Sequence, residues 1–134
     1  MPDKLLIFDS YALLKLFQKE NGYEKIVRIL EEAREKAIPL YINAINLGEI
    51  IYITQRHFGE HKKIEVLAHI ERLGFVTSPA TNDVIFDAAE HKARYSISYA
   101  DCFVLVSALR HNGIVVTGDP EFKKVEHLVE VLWV

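Results

Sequence analysis

An α/β fold built around a mainly parallel sheet is what this sequence predicts, on three observations. The runs Leu5-Leu6-Ile7-Phe8 and Ile114-Val115-Val116-Thr117 are short and apolar, as strands covered on both faces are. Amphipathic stretches of helical length alternate with strand-like ones from end to end, the pattern of a sheet wrapped by its own crossover helices. The 134 residues are 50% hydrophobic and 26% charged, enough for one core. No repeat or Gly/Ser-rich linker divides them, so residues 1–134 read as a single domain.

The elements follow in order. The first strand stops at Asp9-Ser10, a helix-opening pair. Residues 12–17 and 23–36 read as two helices broken at Asn21-Gly22, the second carrying Ile26, Val27, Ile29, Leu30 and Ala33 on one stripe with charges opposite. Pro39-Leu40-Tyr41-Ile42 is strand-like, and Asn43 caps a helix over residues 44–58 that Gly59 ends. Residues 60–73 form another amphipathic helix with Gly74 as its C-cap, and Phe75-Val76-Thr77 is a short strand. Thr81 caps a helix over residues 84–95; Ser98 caps one over residues 99–111 that ends before Gly113. Residues 114–117 are the second clear buried strand, and residues 128–134 close the chain as a final strand.

Composition bounds the function. A formal net charge of −3 argues against a whole-surface nucleic-acid binder and leaves room for a local basic patch. The single cysteine, Cys102, excludes an intrachain disulfide and a Cys-rich zinc ribbon, and fits a reducing, cytoplasmic setting. The N-terminal stretch reaches Asp9 after four apolar residues, so it has no signal-peptide core, and no membrane span is expected.

The anomalies are acids. Both clear strands run into an aspartate, Asp9 after the first and Asp119 two residues past Thr117, at the sheet edge where α/β proteins place their sites. Pro120 biases Asp119 toward extended backbone rather than the start of a helix, so its carboxylate should project forward from the sheet. Glu49 is the only charge between Asn43 and Gln55, and Asp101 the only one between Ser96 and Leu109. A carboxylate on so apolar a helix snorkels, pairs or binds a cation. Each also has a plain structural reading: Asp9 as a helix cap, Asp101 in a capping box with Ser98, Asp119 as a turn residue, Glu49 on a solvated strip.

The ordered set Phe8-Asp9-Ser10, Glu49, Ser98-Tyr99-Ala100-Asp101 and Thr117-Gly118-Asp119-Pro120-Glu121-Phe122 resembles the PIN-domain ribonucleases, in particular the small VapC-type toxins of toxin–antitoxin pairs. The resemblance covers the whole chain. It implies a PIN-like three-layer α/β/α sandwich with a central sheet of four or five strands. It implies that Asp9, Glu49, Asp101 and Asp119 are catalytic, metal-binding acids and that Thr117 is an active-site hydroxyl. It further implies an RNA substrate, a small antitoxin whose tail covers the acidic pocket, and a homodimer, with Tyr52 and Phe58 among the residues open to such contacts. Tyr11, Asn43 and Glu121 depart from the family pattern, which often has a small polar residue, a serine and a further aspartate there.

Elementary electrostatics agrees with the metal. Carboxylates about 6 Å apart repel by roughly 3 kcal/mol per pair at an effective dielectric near 20, so a converging set calls for a counter-cation. Oxygen ligands without Cys or His favour Mg²⁺ or Mn²⁺ over zinc. Competing motifs are weaker. His57-Phe58-Gly59-Glu60-His61 matches a zinc pattern that needs both histidines on one helical face, yet Gly59 falls at the expected break. The basic stretch 56–63 could touch RNA phosphates, though a solvated helical hairpin fits it better, and Cys102 reads as a core residue. Two function classes stay open: a metal-dependent ribonuclease, within or outside a toxin–antitoxin pair, and a non-catalytic PIN-like module that binds RNA or protein.

Overall fold

A computed structural model describes residues 4–134. Five strands, β1 (Leu6–Phe8), β2 (Leu40–Asn43), β3 (Val76–Ser78), β4 (Ile114–Thr117) and β5 (Val131–Trp133), form one sheet in the order β3-β2-β1-β4-β5. Every pairing is parallel, with Leu6 opposite both Leu40 and Ile114, and Val116 opposite both Phe8 and Leu132. Six helices surround it: α1 (Ser10–Phe17), α2 (Tyr23–Glu35), α3 (Ala44–Phe58), α4 (Glu60–Arg72), α5 (Asn82–Arg94) and α6 (Tyr99–His111). This is the expected α/β/α sandwich with five strands.

The two-residue period of a strand divides the core into two layers. Leu6, Phe8, Leu40, Ile42 and Val116 face one way and pack with α1 to α4 through Ala12, Leu13, Ile26, Leu30, Ile50, Val66 and Ile70. Ile7 and Val115 face the other way, against Ala88 of α5, Phe103 to Val106 of α6, and Phe122. Residues 101–108 of α6 are all buried, so this stretch is apolar nearly all round and Asp101 is the one charged residue within it.

Helix boundaries follow the capping chemistry. Asp9, Asn43, Thr81 and Ser98 each accept a backbone N–H of the first turn behind them. Gly59, at φ 89°, takes a conformation costly to any residue with a Cβ and separates α3 from α4. His57 therefore lies in the last turn of one helix and His61 in the first turn of the next, so the two do not share the helical face that a zinc pair requires. The C-terminal region departs from expectation in two ways. A short 3-10 helix occupies Pro120–Lys124, and the last strand spans Val131–Trp133 rather than residues 128–134. Among the described residues no helix is long and apolar enough to cross a membrane.

Candidate active site

Topology selects where chemistry can sit. The chain runs outward from β1 to β2 and β3, then returns to the opposite side of β1 as β4. Connections leaving β1 and β4 thus diverge, and the crevice between their C-terminal ends is where open α/β sheets place ligands. Asp9 follows β1 and Asp119 follows β4, while α3 and α6, packed against each other, bring Glu49 and Asp101.

Asp9 combines two roles that looked like alternatives. Its Oδ1 accepts the Ala12 N–H at 2.8 Å, capping α1, and its Oδ2 accepts the Thr117 hydroxyl. It is only 1% exposed. Burial pushes its carboxyl up to about 7; the bonds from Thr117 and Ala12 oppose the rise, and the charges of Asp119 and Glu49 add to it. Thr117, fully buried, also accepts the Asp119 N–H at 2.9 Å, so one hydroxyl ties the end of β1 to the turn after β4. Gly118 is required between them, because a Cβ there would lie 2.5 Å from both the Tyr11 ring and the Val134 carbonyl oxygen.

Asp119 has the extended backbone that Pro120 dictates, φ −74° and ψ 117°, but it is also a cap: its Oδ1 accepts the Glu121 N–H at 3.0 Å and opens the 3-10 helix. The expectation that no helix starts there is corrected. Proline suits the first position of a helix, where its missing N–H costs nothing, and only Asp119, one residue earlier, has to stay extended.

Asp101 resolves differently from a capping box. Ser98 Oγ accepts the Asp101 N–H at 3.1 Å, but the reciprocal bond to the Ser98 N–H comes from Glu121 Oε2 at 3.0 Å, 23 residues away. Glu121 thereby releases the Asp101 carboxylate from capping duty. Carboxylate oxygens of Asp101, Asp119 and Glu121 lie within 4.8 Å of one another. Burial, then the charges of Asp119 and Asp9, pushes Asp101 up to about 8, whereas the Ser98 N–H draws Glu121 below the usual glutamate range.

Glu49 is held by Ser10, whose hydroxyl donates to Oε1 at 2.9 Å, and is touched by Asn46 Nδ2 at 3.5 Å. Asn46 also donates to the Ala100 carbonyl at 3.1 Å, joining α3 to the first turn of α6. All four sequence-nominated acids and Thr117 therefore meet at one sheet edge. Sequence reasoning missed Asn46 and left the roles of Ser10 and Glu121 open. Asn46 was legible in principle as a second polar interruption of an apolar helix, one turn before Glu49.

Two buried side-chain atoms among the described residues lack a hydrogen-bond partner, Asn46 Oδ1 and Asp101 Oδ2, and both belong to this site. Orphaned oxygens beside carboxyls whose pKa burial raises, in a set without His or Cys, fit a hard divalent cation. Asn46→Leu tests whether that orphan is a cost. The lost bond to Ala100 is worth about 1 kcal/mol and the unsatisfied oxygen costs about 1–3, so the variant should melt at or above the wild-type temperature in EDTA. A clear fall in melting temperature would show that Asn46 stabilises the fold.

Elsewhere the expectations for side chains hold. Cys102 is buried in the core behind the site, its thiol pushed up to about 11 by burial, which leaves no thiolate for chemistry. In the basic stretch, His61 and Lys62 both pair with Glu65.

A three-layer α/β/α sandwich with an all-carboxylate crevice at its switch point defines the class. The chain belongs to the PIN domain family, which matches it over residues 6–128 and whose members are in general nucleases that use divalent metals. The DNA-bound VapBC complex of Salmonella typhimurium is similar in fold over 96% of this chain and 97% of that one, at 14% identity and a TM-score of 0.77. VapC20 of Mycobacterium tuberculosis, a sarcin-ricin loop cleaving toxin, is similar over 82% and 86%, at 14% identity and 0.68. FitAcB of Neisseria gonorrhoeae is similar over 96% of both chains, at 19% identity and 0.69. No curated protein matches the sequence significantly.

Proposed function

We propose that this protein is a Mg²⁺- or Mn²⁺-dependent endoribonuclease and the toxin of a VapBC-type toxin–antitoxin pair. The observation that carries the reading is the convergence of Asp9, Glu49, Asp101 and Asp119, with two of these carboxyls raised to about 7 and about 8 by burial and mutual charge. The buried carboxyls of Asp9 and Asp101 cost the fold stability that a bound cation would offset. Such an ion supplies the Lewis acid for in-line hydrolysis of a phosphodiester.

The chain's own residues do the positioning. Thr117 fixes the Asp9 carboxylate and the Asp119 backbone, Ser10 fixes Glu49, and Ser98 with Glu121 fixes the start of α6 so that Asp101 faces Asp119. Two divalent ions would bring the formal charge from −3 to about +1 and ease the approach of a polyanion. RNA is the substrate favoured by the likeness to a sarcin-ricin loop cleaving toxin. The test is cleavage of labelled single-stranded RNA: product with Mg²⁺ or Mn²⁺ and none in EDTA. A folded protein inert toward RNA in both ions, and harmless when expressed alone, would leave a non-catalytic binding module.

For the antitoxin, a groove of about 1010 Å³ runs between α1, α2 and α4, lined by Phe17, Tyr23, Val27, Leu30 and Val66 and edged by Arg34, Lys62 and Arg72. An apolar segment with acidic flanks suits it, and the similar VapBC and FitAcB structures give that segment a source in an antitoxin. The homodimer reading draws on Tyr52 of α3, Phe86 of α5 and Leu109 of α6, exposed by 52%, 62% and 43%. Light scattering at micromolar concentration should return twice the chain mass; a monomer would remove the dimer from the reading.

A further inference from the structure

The aromatic side chains around the acidic crevice point to how a substrate strand is held. Tyr11 and Tyr99 each lie two residues from an acid, Asp9 and Asp101, and each sits in the first turn of a helix that opens at the crevice. Both are large and yet 41% and 45% exposed. Each ring is propped from behind. Tyr11 abuts Gly118, which has no room for a Cβ beneath it, and Tyr99 stands edge-on to Phe103 with centroids 5.1 Å apart. An aromatic ring that is rigid on one side and open on the other is a stacking platform.

Beside Tyr11 lies a cleft between α1 and α3 of about 480 Å³, within the size range of small-ligand sites, lined by Leu14, Gln18, Glu20, Ile53, His57 and Phe58 as well as Tyr11. It adjoins the site through Tyr11, whose ring abuts Gly118, and through helix α3. Glu49, Ile53 and His57 are spaced by four residues, which places them on one helical face over about 12 Å, from the Ser10-bonded carboxylate to the outer end of the cleft. The lining supplies aromatic faces for a base, and an amide and an imidazole for its edge. Phe58, 55% exposed at the end of α3, has little reason in the fold to be there. At that end of α3 Arg56 supplies a positive charge, lying over the Tyr52 ring, and Glu20 in the lining supplies a negative one.

We infer that the cleft between Tyr11 and Phe58 is a subsite for one unpaired RNA base beside the scissile phosphate, with Tyr99 stacking a neighbouring base from the α6 side. This deepens the ribonuclease reading and rests on it. A base must leave its helix to enter, so the subsite commits the enzyme to single strands and loops and against duplex.

The experiment measures KM on a single-stranded oligoribonucleotide with Mn²⁺, for wild type, Tyr11→Ala, Tyr11→Phe and Phe58→Ala, and repeats it on oligonucleotides carrying one abasic position scanned along the strand. Losing a stacking ring should raise KM about ten-fold or more, Tyr11→Phe should restore it, and one abasic position should penalise wild type but not Tyr11→Ala. Mn²⁺ affinity, read by electron paramagnetic resonance, should not move in any of the three variants. If Tyr11→Ala disturbs the Gly118 turn and loses Mn²⁺, Phe58→Ala, outside the acidic crevice, carries the decision. Cleavage with equal KM in every variant, or an abasic penalty indifferent to Tyr11, overturns the subsite while the ribonuclease reading stands, and assigns the cleft to a protein segment. A wild type that cleaves no RNA overturns both.

Discussion

Asp9→Asn should reduce RNA cleavage by at least about a hundred-fold, since even indirect partners of a metal centre cost 10–100-fold when lost and Asp9 is placed as a direct one. The substitution separates the two jobs of the residue. Asparagine caps a helix as well as aspartate does, so the bond to the Ala12 N–H can persist and α1 should start where it does now. What disappears is the charge that faces Glu49 and Asp119. Loss of activity should therefore come with an intact fold, and Mn²⁺ binding measured directly should fall with it. Undiminished cleavage by a folded Asp9→Asn protein would falsify the assignment of the crevice as the active site.

Metal-free protein should become more stable, not less, as pH falls from 8 toward about 4.5. Asp9 and Asp101 have folded-state values of about 7 and about 8 against 3.8 for the ordinary carboxyl. A group raised on folding costs stability wherever the unfolded chain is ionised. That cost is full above the folded value and is relieved as pH falls through it, disappearing below the unfolded value. For Asp9 alone the shift corresponds to roughly 4 kcal/mol at pH 8, an order-of-magnitude figure for a buried group. Glu121 works in the opposite sense: its carboxyl, lowered chiefly by the Ser98 N–H, supports the fold above the ordinary glutamate range and loses that support as acid protonates it. The melting temperature in EDTA should thus be higher near pH 4.5 than at pH 8, declining steadily between the two. Asp9→Asn should flatten that decline and melt above wild type at pH 8. Mg²⁺ at a hundred times its dissociation constant should return about 2.7 kcal/mol to wild type at pH 7 by mass action, and much less to the variant. A wild type that is most stable at pH 8 in EDTA and gains nothing from Mg²⁺ would mean that the four acids do not share a cation site.

The elements and the acids were legible in the sequence for the same reason. A strand covered on both faces must be apolar and a helix on the sheet must be striped, so Leu6–Phe8, Ile114–Thr117 and the long helices announce themselves locally. Against that background Glu49, Asp101 and the strand-end aspartates stand out as interruptions. The sequence could not decide whether each acid is a cap or a site residue, and tertiary structure shows why the question was wrongly divided: a carboxylate has two oxygens. Asp9 gives one to Ala12 and turns the other to Thr117, 108 residues away, while Asp101 is spared capping because Glu121 takes the Ser98 N–H. Asn46 likewise acquires its meaning from the Ala100 carbonyl, 54 residues distant. Local pattern records what a residue must be to form its element. Partners such as these are chosen by the sheet order β3-β2-β1-β4-β5, which brings the end of β4 beside the end of β1 and is written in no single stretch of chain.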